Sequence, residues 1–105
     1  MSESGKRYSI RKIKRLPITF SDGKEEYNGT SSDFSSTGLF IRTRRPCKPG
    51  THVKMTLEIN ETRKISLTGV VARSIKTGSI VFKNGMGIRL TIIPKEYEDF
   101  INSFH

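Results

Sequence analysis

Arg7 and Arg11 stand four residues apart in a basic amino-terminal segment, and Asp33, Ser35 and Gly38 stand in the run SSDFSSTGLF at residues 31–40. A guanidinium is a planar fork that donates two parallel hydrogen bonds to a phosphate, or to guanine O6 and N7. A four-residue spacing puts both forks on one side of an extended arm, and equally on one face of a helical turn. The Asp33 carboxylate is an acceptor, and the Watson–Crick edge of guanine carries donors at N1 and N2. Ser35 lies two residues on and shares a strand face with it. Gly38 lets backbone approach a flat ligand. A guanine nucleotide with phosphates satisfies both halves. Each pattern alone has a commoner explanation: basic arms are solvated tails or non-specific anion contacts, and Asp-x-Ser runs cap their own backbone.

Other chemistry finds little support. Cys47, His52 and His105 are the whole Cys and His supply, too few for a zinc centre with about four ligands, so no metal is expected. Ser35 lacks the Gly-x-Ser-x-Gly elbow. Neither Gly5-Lys6 nor Gly23-Lys24 has the flanking residues of a phosphate-binding Walker loop. No acidic pair suggests acid–base work, so no catalytic residue is assigned and the chain is expected to bind rather than catalyse. The net charge of +9, from 19 Lys and Arg against 10 Asp and Glu, attracts polyanions without choosing among them. One cysteine gives no disulfide framework. With neither a secretory start nor a transmembrane run, the expected setting is the cytoplasm, with no membrane insertion.

The elements that must position these residues are mostly strands. Residues 1–15 read as a flexible basic arm, and 16–105 as one small domain. Asp22-Gly23 signals a hairpin between LPITF and KEEYNGT, because glycine tolerates the positive φ of such a turn. GLFIRT is a short apolar strand with one of Leu39 and Phe40 in the core. THVKMTLEI alternates strictly, burying Val53, Met55, Leu57 and Ile59 and leaving His52 in solvent. KISLTGVVARSI alternates through Ile65, Leu67, Gly69, Val71 and Arg73, with Gly69 marking a bulge or bend. SIVF and MGIRLTII flank Asn84-Gly85, a second hairpin signal. Tyr97, Phe100, Ile101 and Phe104 form a helical stripe, predicting a helix over about 95–104 that plugs an open end of the sheet. About six strands and one helix make an all-β fold, a small antiparallel barrel.

The order of these features resembles the PilZ family, bacterial receptors for cyclic di-GMP. Arg7-Tyr8-Ser9-Ile10-Arg11 matches the family's RxxxR, and Asp33-Phe34-Ser35-Ser36-Thr37-Gly38 matches its (D/N)xSxxG. A second register, Arg11 to Arg15, also reads RxxxR, but Leu16-Pro17 sits at the family distance from Arg11. GLFIRT, PGTHVKMTLEI, LTGVVAR and GMGIRL look like family strands in family order, so the likeness spans about residues 6–104. It implies a six-stranded barrel with a carboxy-terminal helix, and cyclic di-GMP held between arm and barrel. It further implies that Arg7 and Arg11 clamp phosphate and guanine, that Asp33 and Ser35 bond guanine, and that Gly38 gives clearance. Lys6 stands where the family often has Arg; it keeps the charge but loses the stacking plane, which leaves one ligand or two open. Arg73 is a further candidate contact, or equally a surface barrel arginine. A protein partner of unknown identity is expected, with no specific nucleic acid. Two alternatives remain: a small basic barrel that binds nucleic acid, and a protein-binding adaptor with an unused pocket.

Overall fold

The structure, a computed structural model, describes residues 14–76 and 84–103. Six strands run in the order β1 (Leu16–Ser21), β2 (Glu26–Ser32), β3 (Gly38–Arg42), β4 (His52–Glu58), β5 (Lys64–Ile75) and β6 (Gly85–Ile92), followed by helix α1 (Lys95–Asn102). They close into an antiparallel barrel with neighbours β1-β2-β3-β6-β5-β4. The expected all-β barrel with a carboxy-terminal helix is therefore what the chain forms.

Alternation decides which side chains fill it. Val53, Met55 and Leu57 of β4 point inward, with Ile59 partly buried behind them, and His52 is exposed. Ile18 and Phe20, Leu39 and Ile41, Ile65, Leu67 and Val71, and Met86, Ile88 and Leu90 complete the interior. Leu39 is thus the core member of the pair considered from sequence. Phe40 is also buried but lies outside the core cluster, on the outer face of β3. The β1–β2 hairpin turns at Asp22-Gly23, where Asp22 Oδ1 accepts the backbone N–H of Lys24 at 2.9 Å. The expected irregularity at Gly69 is present as a register shift between Thr68 and Gly69.

Two sequence expectations need correction. Asn84-Gly85 is not a tight turn: Gly85 is the first residue of β6 and pairs with both Ile75 and Arg42. The glycine is needed because a Cβ there would run into the Ile41 carbonyl and lie 2.6 Å from the Phe40 ring. SIVF lies outside the described residues. The second correction concerns Arg73, which does not stay on the buried face of β5. A register shift between Val71 and Arg73 leaves Ala72 as an extra residue, so Arg73 pairs with Gly87 and turns outward. A bulge re-aims the side chain that follows it in this way.

Antiparallel connections sort the loops by end. The β2–β3 loop and α1 lie at one end, and the β1–β2 turn, the β3–β4 loop and the close of β5 lie at the other. Tyr97 and Phe100 of α1 join the same apolar cluster as the barrel interior, so the helix covers the first end. It starts after Pro94, and Phe104 of the predicted stripe lies outside the described residues. Burying each such ring contributes about 1.5–3 kcal/mol.

Candidate ligand-binding site

The DFSSTG run is the connection between β2 and β3, and three anchors shape it. Asp33 has φ of 52°, a left-handed conformation that aspartate tolerates better than most residues. The kink drives Phe34 to complete burial, where it meets Phe100 edge-to-face at 5.2 Å and 87°. Ser35 N–H then donates to the Gly38 carbonyl at 2.9 Å, and Thr37 O accepts Leu90 N–H at 2.9 Å.

The third anchor is Tyr97. Its buried hydroxyl lies 2.7 Å from the Ser35 carbonyl and 2.9 Å from the Gly38 carbonyl, and donates its one proton between them. Burial holds the phenol well above its ordinary pKa, with the hydrogen bond to Ser35 a smaller opposing effect. The helix therefore does more than plug the barrel: it fixes the loop's backbone.

Ser35 keeps a double character. Its Oγ approaches the Gly38 carbonyl at 3.3 Å and accepts Thr37 N–H at 3.4 Å, the self-capping turn anticipated as the plain reading. A hydroxyl has two lone pairs and one proton, and Ser35 is only half-buried, so capacity is left toward the cavity. Gly38 is dictated by the barrel. A Cβ there would collide with the Ile88 carbonyl oxygen of β6.

These residues open onto a cavity of about 330 Å³ on the outer face of β3, β6 and β5. Asp33, Ser35 and Gly38 line it together with Arg73, and Thr37, Phe40 and Arg89 join them. Four of the seven candidates are thus brought into one concavity. Lys6, Arg7 and Arg11 lie outside the described residues. The strand they precede enters at the same end, because Leu16 pairs with Ser31 and Ser31 Oγ donates to the Leu16 carbonyl at 2.8 Å. Ser31, outside the motif, is a fully buried fastener.

Sequence reasoning missed Arg89, Phe40 and Tyr97. Arg89 falls on the outward phase of GMGIRL and was accessible from alternation once β6 stood beside β3. Tyr97 carried no signal, since its partner lies 62 residues away. Chemically the lining offers a carboxylate, two hydroxyls, two exposed guanidiniums, backbone amides and an aromatic floor. Such a set is able to hydrogen-bond a planar polar group and to balance negative charge.

Comparison with known proteins agrees with the architecture. A family model described as the PilZ domain matches residues 5–104. Among solved structures, the Bacillus subtilis inhibitor of motility (MotI/DgrA) superposes with a TM-score of 0.73 at 17% identity, covering 93% of this chain and 48% of that one. The chain thus spans about half the length of that relative. The PilZ domain of CeSA from a cellulose-synthesizing bacterium superposes with a TM-score of 0.64 at 20% identity, covering 90% and 92% of the two chains. No curated protein matches. A barrel closed in this order, with a DxSxxG loop at its helix-covered end and a family match over nearly its whole length, belongs to the PilZ domain family, whose known members are receptors for cyclic di-GMP.

Proposed function

We propose that the chain is a cyclic di-GMP receptor that binds its ligand between the amino-terminal arm and the 33–38 loop and signals to a protein partner. The observation that carries this reading is the shared cavity: Asp33, Ser35 and Gly38 open on the same concave face as Arg73. Asp33 and Ser35 supply acceptors to the Watson–Crick edge of one guanine. Arg73 supplies a flat cation for stacking against a base or for pairing with a phosphate.

Arg7 and Arg11 complete the site as phosphate and guanine clamps, with Lys6 as a neighbouring cation. Arg11 precedes Leu16 by five residues, and five extended residues span at most about 17 Å. Since Leu16 starts beside Ser31, that reach includes the loop. Ligand binding then draws the arm onto the barrel, and only tighter binding to the closed form drives the change. The arm-on-barrel surface is what a partner would recognise. No catalytic step is part of this role, and the reading places the receptor in the cytoplasm.

The experiment is a calorimetric titration with cyclic di-GMP. Arg11→Ala and Asp33→Ala each weaken binding about ten- to a hundredfold, from the roughly 1–3 kcal/mol carried by a base-reading contact. GTP and cyclic di-AMP displace bound cyclic di-GMP poorly, and cyclic di-GMP binding falls only modestly with salt, unlike a nucleic-acid complex. Undiminished binding by both variants refutes the assignment.

A further inference from the structure

A second cavity, of about 810 Å³, lies at the barrel end opposite the 33–38 loop. The β1–β2 turn, the β3–β4 loop and the end of β5 build it, with Tyr27 as a wall. Among the described residues, its lining gathers Lys24, Arg44, Arg45, Lys48 and Lys76 against one carboxylate, Asp22. Asp22 is already engaged. Its Oδ1 accepts the backbone N–H groups of Lys24 at 2.9 Å and Glu25 at 3.1 Å, and these bonds hold its carboxyl below the usual range. None of the five cations forms an ion pair among the described residues. Glu25 and Glu26 flank the turn but do not line the cavity.

The loop that carries three of these cations is fastened along its length. Thr43 N–H donates to the Asn84 carbonyl at 3.2 Å, and Arg45 N–H to Thr43 Oγ1 at 3.1 Å. Cys47 N–H reaches Met86 Sδ at 3.3 Å, and the Cys47 carbonyl accepts the Ser74 hydroxyl. Gly50 N–H donates to the Val71 carbonyl at 2.8 Å. Pro46 and Pro49 fix φ between these ties. Arg44, Arg45 and Lys48 therefore project from a prepared backbone toward Lys24 and Lys76. Like charges converging on one hollow repel each other until a multiply charged anion sits among them.

We propose that this cavity is a separate anion site for a soluble oligophosphate, either a nucleoside polyphosphate or a short inorganic polyphosphate. Guanidinium forks match phosphate oxygens in pairs, and the lysines add point charges around them. Tyr27, whose ring is set against Phe20 at 5.3 Å, adds a phenol on the same wall. A single nucleic-acid strand is disfavoured because platforms for such strands stack successive bases on aromatic rings, and among the described residues of the lining Tyr27 is the one aromatic.

The test is calorimetry on the full chain with sodium tripolyphosphate, GTP and orthophosphate. Comparison variants are Arg44→Ala/Arg45→Ala and Arg7→Ala/Arg11→Ala, with circular dichroism to verify folding. Tripolyphosphate is expected to bind the unmodified chain at least about tenfold more tightly than orthophosphate, and the Arg44/Arg45 variant to lose about tenfold or more, as charge-assisted pairs dictate. The arm variant retains this binding, and the Arg44/Arg45 variant retains cyclic di-GMP. GTP binding lost with Arg44 and Arg45 identifies the nucleotide source, and tripolyphosphate binding alone the inorganic one. The proposal is overturned if tripolyphosphate binds no better than orthophosphate, or if its binding depends on the arm instead. It is equally overturned if a thymidine oligonucleotide or phosphatidylglycerol vesicles bind through Arg44 and Arg45 more tightly than tripolyphosphate.

Discussion

Tyr97→Phe removes a single oxygen from the interior and should loosen the ligand loop without emptying the core. The ring stays, so its packing beside Phe34 and Phe100 is kept. What changes is the donor at 2.7 Å from the Ser35 carbonyl and 2.9 Å from the Gly38 carbonyl. The Gly38 carbonyl still receives Ser35 N–H at 2.9 Å. The Ser35 carbonyl loses its tyrosine donor in a partly buried position. An unsatisfied buried acceptor costs about 1–3 kcal/mol, and half-burial puts this one near about 1–2. For a domain of this size that lowers the melting temperature by about 4–12 °C. If the whole cost falls on the loop, ordering must be recovered on binding, and cyclic di-GMP affinity drops by about five- to thirtyfold. Thermal melting followed by circular dichroism measures the first quantity, and calorimetry the second. A Tyr97→Phe protein that melts and binds like the unmodified chain refutes the claim that helix α1 sets the loop.

Further outcomes follow from the same geometry. Because burial raises the Tyr97 pKa, its contribution is whole below about pH 10, the ordinary tyrosine value, and is lost as pH rises toward the folded value. Alkaline titration of stability should thus show a decline above about pH 10 that Tyr97→Phe flattens. Gly38→Ala forces a methyl into the Ile88 carbonyl and should cost about 1–3 kcal/mol, the usual range for overpacking, read as a shifted urea midpoint. Arg73→Ala, at an exposed position, should leave the melting temperature within about 2 °C, in line with surface substitutions. The same variant should weaken cyclic di-GMP binding measurably by calorimetry.

Several features were legible in the sequence because one local force dominates them. The alternation of Val53, Met55 and Leu57 has no competitor, so β4 and its buried face follow directly. Asp22-Gly23 is a turn because an aspartate oxygen accepts the backbone N–H groups of Lys24 and Glu25. Asn84-Gly85 carries the same local signal for a different reason: its glycine relieves contact with Phe40 and Ile41 across the β3–β6 pairing. No two-residue pattern distinguishes those causes. The bulge at Ala72 left no trace in KISLTGVVARSI, since alanine suits either phase, and yet it moves Arg73 from the interior side to the cavity.

The candidate site divides the same way. Asp33, Ser35 and Gly38 were found as a motif, but the motif did not reveal how it is held. Phe34 fills an unspecified position of the motif and is fully buried. Tyr97 looked like one member of a helical stripe, whereas its hydroxyl secures the loop. Such polar contacts across the chain have no sequence period, so only the folded arrangement exposes them.

The most direct measurement of the central claim is a residue-resolved amide NMR titration with cyclic di-GMP. Saturable shifts are expected at residues 7–11, 33–40, 73 and 87–89, with little change at 22–27 or 44–51. Shifts confined to the opposite end of the barrel, or none at all under saturating ligand, contradict it.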